Sequence, residues 1–116
     1  MRTWTPLIGA SLCLLGLAAQ AAQPLPPAGE GRRLFLSLNC YSCHGMHAGG
    51  GMGPKIAGAD SGDVSEAVLN GEDGGMPSYR KYVKAKDIKN LGAYLRTAGT
   101  PKEPVFMDWW EKIPSK

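Results

Sequence analysis

Asn39-Cys40-Tyr41-Ser42-Cys43-His44-Gly45-Met46 places two thiols three residues apart, with an imidazole directly after the second. This is the C-x-x-C-H pattern of covalent haem attachment. The spacing has a chemical reason. Two thiols so placed add across two vinyl groups on one porphyrin edge, and the adjacent imidazole is swung beneath the ring centre, where it binds iron. Two other readings of these residues are weaker. A thioredoxin-like redox pair follows a strand in a βαβ setting, and no such pattern surrounds Cys40. Structural zinc draws its ligands from two pairs separated by a loop, whereas Cys40, Cys43, His44 and His47 crowd into eight residues.

Outward from this motif the chain reads as helices between glycine-rich loops. Upstream, Leu34, Phe35, Leu36 and Leu38 follow Arg32 and Arg33, which predicts a helix over about 29–40. Residues 45–62 are rich in glycine and hold Pro54, so they read as loop. Val64, Ala67 and Val68 are spaced i, i+3, i+4 in a second helix, with Asp63 as its expected N-cap and Gly71 as its stop. Residues 72–84 return to loop. Ala85–Thr97 carries the clearest stripe, Ile88, Leu91, Tyr94 and Leu95, ended by Gly99 and Pro101. No strand or internal repeat is visible. Loops this long in a small domain need something to pack against, and a haem would serve.

The first residues belong to no such domain. Arg2, the apolar run Leu7–Ala19 and the small-residue exit Ala19-Gln20-Ala21 read as a secretory leader over 1–21. The run is short for a membrane span, which needs roughly 20 apolar residues. Its removal leaves a lead-in over 22–30, a domain over 31–100 and a proline-containing tail over 101–116 that lies extended on it. The full chain has a formal charge of +3 and loses only Arg2 with the leader, so no bulk field favours nucleic acid. Of three cysteines, Cys13 goes with the leader. A bridge between Cys40 and Cys43 would close a tiny loop and stabilise little. A small, loop-rich exported domain therefore takes a cofactor as its staple.

At this point the chain resembles the class I cytochrome c family, over about 31–100. Gly31-x-x-x-Phe35 is similar to the family's first-helix signature, whose glycine lets the last helix cross closely. Leu91-x-x-Tyr94-Leu95 is similar to that last helix. Gly53-Pro54-Lys55-Ile56-x-Gly58 resembles the Gly-Pro-x-Leu-x-Gly loop. The resemblance implies an all-α fold of three to four short helices around one covalent haem c. It implies that the Pro54 carbonyl accepts a hydrogen bond from the far ring nitrogen of His44. Of five candidates for the second axial ligand, Met46 and His47 follow His44 too closely, Met52 lies in the proximal loop, and Met107 lies in the tail without a family match. Met76, in Gly74-Gly75-Met76-Pro77-Ser78-Tyr79, matches the family's distal loop. His44 and Met76 are then the metal ligands, with Cys40, Cys43, Pro54 and Tyr79 contacting the cofactor. Tyr79 would reach a haem propionate, or else lie as a surface aromatic. One departure is Lys84, where the last helix would prefer Ser, Thr or Asp as its cap.

With both axial positions filled, no place remains for substrate, and the expected function is one-electron transfer rather than catalysis. A peroxidase or a sensor would need an open or labile distal site. A narrower resemblance rests on 39–46, Asp73–Tyr79 and Asp108-Trp109-Trp110: small periplasmic cytochromes that accept electrons from quinoprotein (PQQ-dependent) alcohol dehydrogenases. It implies a soluble periplasmic shuttle, with such a dehydrogenase as donor, a terminal oxidase or another cytochrome as acceptor, and no stable membrane insertion after cleavage. Arg80, Lys81 and Lys84, directly after Met76, are candidates for a basic docking rim.

Overall fold

The computed structural model describes Met1 and residues 24–114. The leader reading of 1–21 therefore lies outside the described residues, Met1 apart. Four helices follow in order: α1, Pro27–Ser37; α2, Cys40–His44; α3, Ser61–Asn70; and α4, Ala85–Thr97. Among the described residues there is no strand, only an isolated antiparallel bridge between Glu72 and Met76.

Helix α1 differs at both ends from the span expected. It starts at Pro27, inside the stretch read as a lead-in, because proline at the first helical position loses no hydrogen bond and has its φ already set. It stops at Ser37 because Asn39 takes the left-handed conformation, with φ 60°. Asparagine tolerates this conformation better than most residues. The chain thus turns between α1 and α2, and Cys40 begins a separate helix. In α3 the N-cap is Asp60 rather than Asp63, since the Asp60 carboxylate accepts from the N–H groups of Gly62 (2.7 Å) and Asp63 (3.0 Å). Helix α3 stops at Gly71, whose φ is 73°. Helix α4 spans the expected residues, and its uncapped start at Lys84 is resolved by Asp87. The Lys84 N–H donates to Asp87 Oδ2 at 2.8 Å.

Helices α1 and α4 cross at Gly31. A methyl group there would lie 1.9 Å from the Asn90 carbonyl oxygen and 2.7 Å from Tyr94 Cβ. Only glycine allows the two backbones this approach. One turn on, Phe35 meets Tyr94 with ring centroids 5.1 Å apart and planes inclined by 53°. Phe35, Val64, Val68, Val83, Ile88, Leu91, Tyr94 and Leu95 form the buried core. Each large side chain so buried contributes roughly 1.5–3 kcal/mol.

Beyond α4 the chain turns at Pro101-Lys102 and runs back along α1. Phe106 and Asp108 are buried, while Val105, Met107, Trp109, Trp110 and Ile113 are exposed. The tail is held by its carbonyls. Arg32 Nε donates to Phe106 O at 3.3 Å, and Arg33 donates to the carbonyls of Trp109, Glu111 and Lys112. No helix among the described residues is long and apolar enough to cross a membrane.

Candidate haem site

Cys40 and Cys43 both lie on the single-turn helix α2 as unbridged thiols, Cys40 half-buried and Cys43 exposed. Burial pushes the Cys40 thiol up to about 11. His44 closes the same helix and is buried. Its Nδ1 stands 2.8 Å from the Pro54 carbonyl oxygen. A carbonyl only accepts, so Nδ1 carries a proton, and Nε2 is the ring nitrogen left to face an electrophile. The proximal loop presses from the side. A Cβ at Gly53 would lie 3.1 Å from both Cε1 and Nδ1 of His44.

This loop is fixed almost wholly by its own backbone. The Gly50 N–H donates to the His44 carbonyl (2.7 Å) and the Gly53 N–H to the Cys43 carbonyl (2.8 Å). The Ile56 and Ala57 N–H groups both donate to the Ala48 carbonyl at 3.0 Å. The Gly58 N–H reaches the Leu95 carbonyl on α4 at 2.7 Å. Met52, at the tip, is 87% exposed.

Met76 is half-buried and packs on the core together with Leu34, Leu38, Cys40, Ile56, Leu69 and Tyr79. Its loop is tied back onto α3. Glu72 N–H donates to Met76 O at 3.0 Å, Ser78 Oγ to Leu69 O at 2.6 Å and Tyr79 N–H to Val68 O at 2.8 Å. Arg80 is engaged by Asn70 Oδ1 at 2.7 Å, whereas Lys81 is exposed. The Tyr79 phenol is pushed up by burial and by the nearby Cys40 and Cys43 sulfurs.

Met107 and His47 have contacts of their own. Met107 is 46% exposed, and its Sδ takes a hydrogen bond from Arg32 Nη2 at 3.6 Å. His47 Nδ1 pairs with both oxygens of Glu103, at 3.0 and 3.1 Å. Among the described residues, no three His, Cys, Asp or Glu side chains converge to hold one ion. The donor set fits a haem: two free thiols on one helix, an imidazole whose Nδ1 is held by a carbonyl, and a half-buried thioether among apolar side chains.

The reading of the sequence missed the polar cluster behind α1. Arg32 is fully buried and bonds to the Met46 carbonyl (2.6 Å) and the Tyr94 hydroxyl (2.7 Å). The Tyr94 hydroxyl in turn donates to Glu103 Oε1 at 2.7 Å. The available signal was position alone: Arg32 stands one turn before Phe35 on the buried stripe.

Comparison with known proteins bears on both fold and site. The profile of the family described as "Cytochrome C oxidase, cbb3-type, subunit III" matches residues 26–95. Cytochrome c55X of Paracoccus denitrificans (strain Pd 1222) is 33% identical over 90 residues, which cover 72% of this chain and 87% of that protein. Among solved structures, cytochrome CL from Methylophaga aminisulfidivorans superposes with a TM-score of 0.51 at 24% identity, a likeness of fold. The dihydro-haem d1 dehydrogenase NirN, in complex with DHE, superposes with a TM-score of 0.53 at 27% identity over 65% of this chain. The chain spans 52% of the former and 17% of the latter.

Proposed function

The chain belongs to this family of c-type cytochromes, with one covalently bound haem c and an electron-carrying role, and we propose that it is a periplasmic one-electron shuttle in which His44 and Met76 would ligate the haem iron. When bound, the haem supplies a one-electron Fe(III)/Fe(II) couple. The chain's own residues do the rest. Cys40 and Cys43 tether the group at one edge, and the unbridged state of both thiols supports this. His44 presents Nε2 because Pro54 holds Nδ1–H, the single observation that carries the site reading. Met76 offers a neutral thioether from a loop pinned to α3, and Tyr79 packs at the cysteine side. The leader would be removed on export, so N-terminal sequencing of the purified protein should begin at Ala22. An intact Met1 would overturn the export reading.

Met76→Ala should leave the covalent haem in place, abolish the weak red-edge absorption of methionine-ligated Fe(III), and lower the potential. Retention of that absorption and potential would assign the ligand elsewhere.

The donor proposed is a quinoprotein alcohol dehydrogenase, and the acceptor a terminal oxidase or another cytochrome. The support is the likeness of 39–46, Asp73–Tyr79 and Asp108–Trp110 to the cytochromes of that pathway. A second reading keeps the shuttle role with another periplasmic dehydrogenase as donor. Purified protein should be reduced in a saturable way by quinoprotein alcohol dehydrogenase and its alcohol. Reduction by another periplasmic dehydrogenase alone would transfer the assignment to the second donor. Lys81 and Lys84, both exposed, would steer an acidic partner, so reduction should slow as ionic strength rises through about 0.1 M.

A further inference from the structure

Arg32 lies on α1, its side chain 1% exposed, and faces Glu103, 4% exposed, at 3.6 Å. Every polar atom of this pair is occupied. Arg32 donates to Phe106 O, Met46 O, the Tyr94 hydroxyl and Met107 Sδ. Glu103 accepts from the Tyr94 hydroxyl and the Gly99 N–H (2.8 Å), and pairs with His47. Burial pushes the Tyr94 phenol up, so it stays protonated and passes the hydrogen bond from Arg32 to Glu103.

The two ends of the pair converge on one short segment. Arg32 grips the Met46 carbonyl, and Glu103 grips the His47 ring. These residues are the second and third after His44. A buried ion pair contributes little net stability when compared with an apolar replacement, yet either charge left alone is costly. Burial also means that an uncompensated charge here would be weakly screened.

We propose that Arg32 and Glu103 are positioning residues for electron transfer: a charge-balanced pair that anchors the segment after His44 and sets the reduction potential by its neutrality. The inference rests on the electron-carrier reading and on neither the sixth ligand nor the donor. A potential is measured without any partner protein, so its failure is separate from theirs.

The test is a double-mutant cycle on the haem-loaded protein, at a fixed pH of about 8, above the ordinary range of histidine. Glu103→Gln leaves Arg32 uncompensated, disfavours Fe(III) and raises the potential. Arg32→Met leaves Glu103 uncompensated and lowers it. Each single variant is expected to change the Fe(III)/Fe(II) ratio at a given ambient potential by about tenfold, about 60 mV for one electron. The double variant should return close to the parent, because no net charge remains. A pair that only fastens the tail would shift both single variants in the same direction or in neither, and either result overturns the proposal. So does a double variant displaced as far as a single one. Should Arg32→Met fail to accumulate, Glu103→Gln decides alone: a raised potential supports the proposal, and an unmoved or lowered one overturns it.

Discussion

The proximal loop, 45–58, and the tail, 101–114, both lack regular structure and both lie against the helical body, but they are fastened by different means. The loop is held by amide-to-carbonyl hydrogen bonds, from Gly50, Gly53, Ile56, Ala57 and Gly58. The tail is held by two guanidinium groups from α1 reaching its carbonyls. Main-chain ties depend on backbone conformation, and several residues share the load. The charged ties concentrate it on Arg32 and on the carboxylate that balances it. The loop should therefore yield gradually to substitution, and the tail should be lost through one position and through pH.

The largest expected break of that contrast is Arg32→Ala. It strands the Glu103 carboxylate in a buried setting and removes four hydrogen bonds, which should cost about 3–5 kcal/mol. Denaturant unfolding of the haem-loaded protein would measure it. A loss below about 1 kcal/mol would show that the tail does not depend on this residue.

Gly53→Ala probes the loop. The added methyl meets the His44 ring at 3.1 Å, so a cost of about 1–3 kcal/mol is expected, with a changed visible spectrum as the imidazole tilts. An unaltered spectrum would mean that the loop gives way without disturbing the ligand.

A smaller effect separates the regions by pH. Burial pushes the Glu103 carboxyl up, but hydrogen bonds from Tyr94, the Gly99 N–H and His47 outweigh this and hold it below the ordinary carboxylate value. A lowered native pKa contributes stability that is present above the unfolded value of about 4.3 and is lost as pH falls through the native value. In acid, the fluorescence of Trp109 and Trp110 should change before the helical circular dichroism does. Coincident transitions would show the tail and body to be one unit.

The smallest effect is expected from Arg33→Ala, which releases the exposed carbonyls of Trp109, Glu111 and Lys112 and a partly exposed ion pair with Glu30, and should cost about 1 kcal/mol or less. A loss above about 2 kcal/mol in denaturant unfolding would contradict this division of labour.

The same contrast explains what could be read in advance. Ala85–Thr97 was legible in full, because an apolar stripe and a Gly-Pro stop are local signals. The loop was legible as a loop, since glycines at 45–58 announce its backbone. Helix α1 was legible only from about residue 29, because Pro27-Ala28 carries no apolar stripe to announce its first turn. Its break at Asn39 depends on a left-handed residue that carries no glycine to announce it. Asp60 and Asp63 are equally good caps on paper, and backbone direction chose the earlier one. Of the site, Cys40, Cys43 and His44 were contiguous, and Pro54 and Met76 came with the family likeness. The Arg32–Glu103 pair spans 71 positions of sequence, and no local pattern joins two residues so far apart.

The Ala48 carbonyl takes two amide N–H groups, and Ala48 itself is fully buried. Around it the joints are main-chain amides and carbonyls, so exposed side chains projecting from the loop, such as Met52 and Lys55, bear none of its weight. Selection can rewrite them without rebuilding the imidazole's support. In a carrier that must recognise one partner on arrival and another on departure, such positions are where a lineage changes allegiance: the address can be edited while the cargo stays mounted.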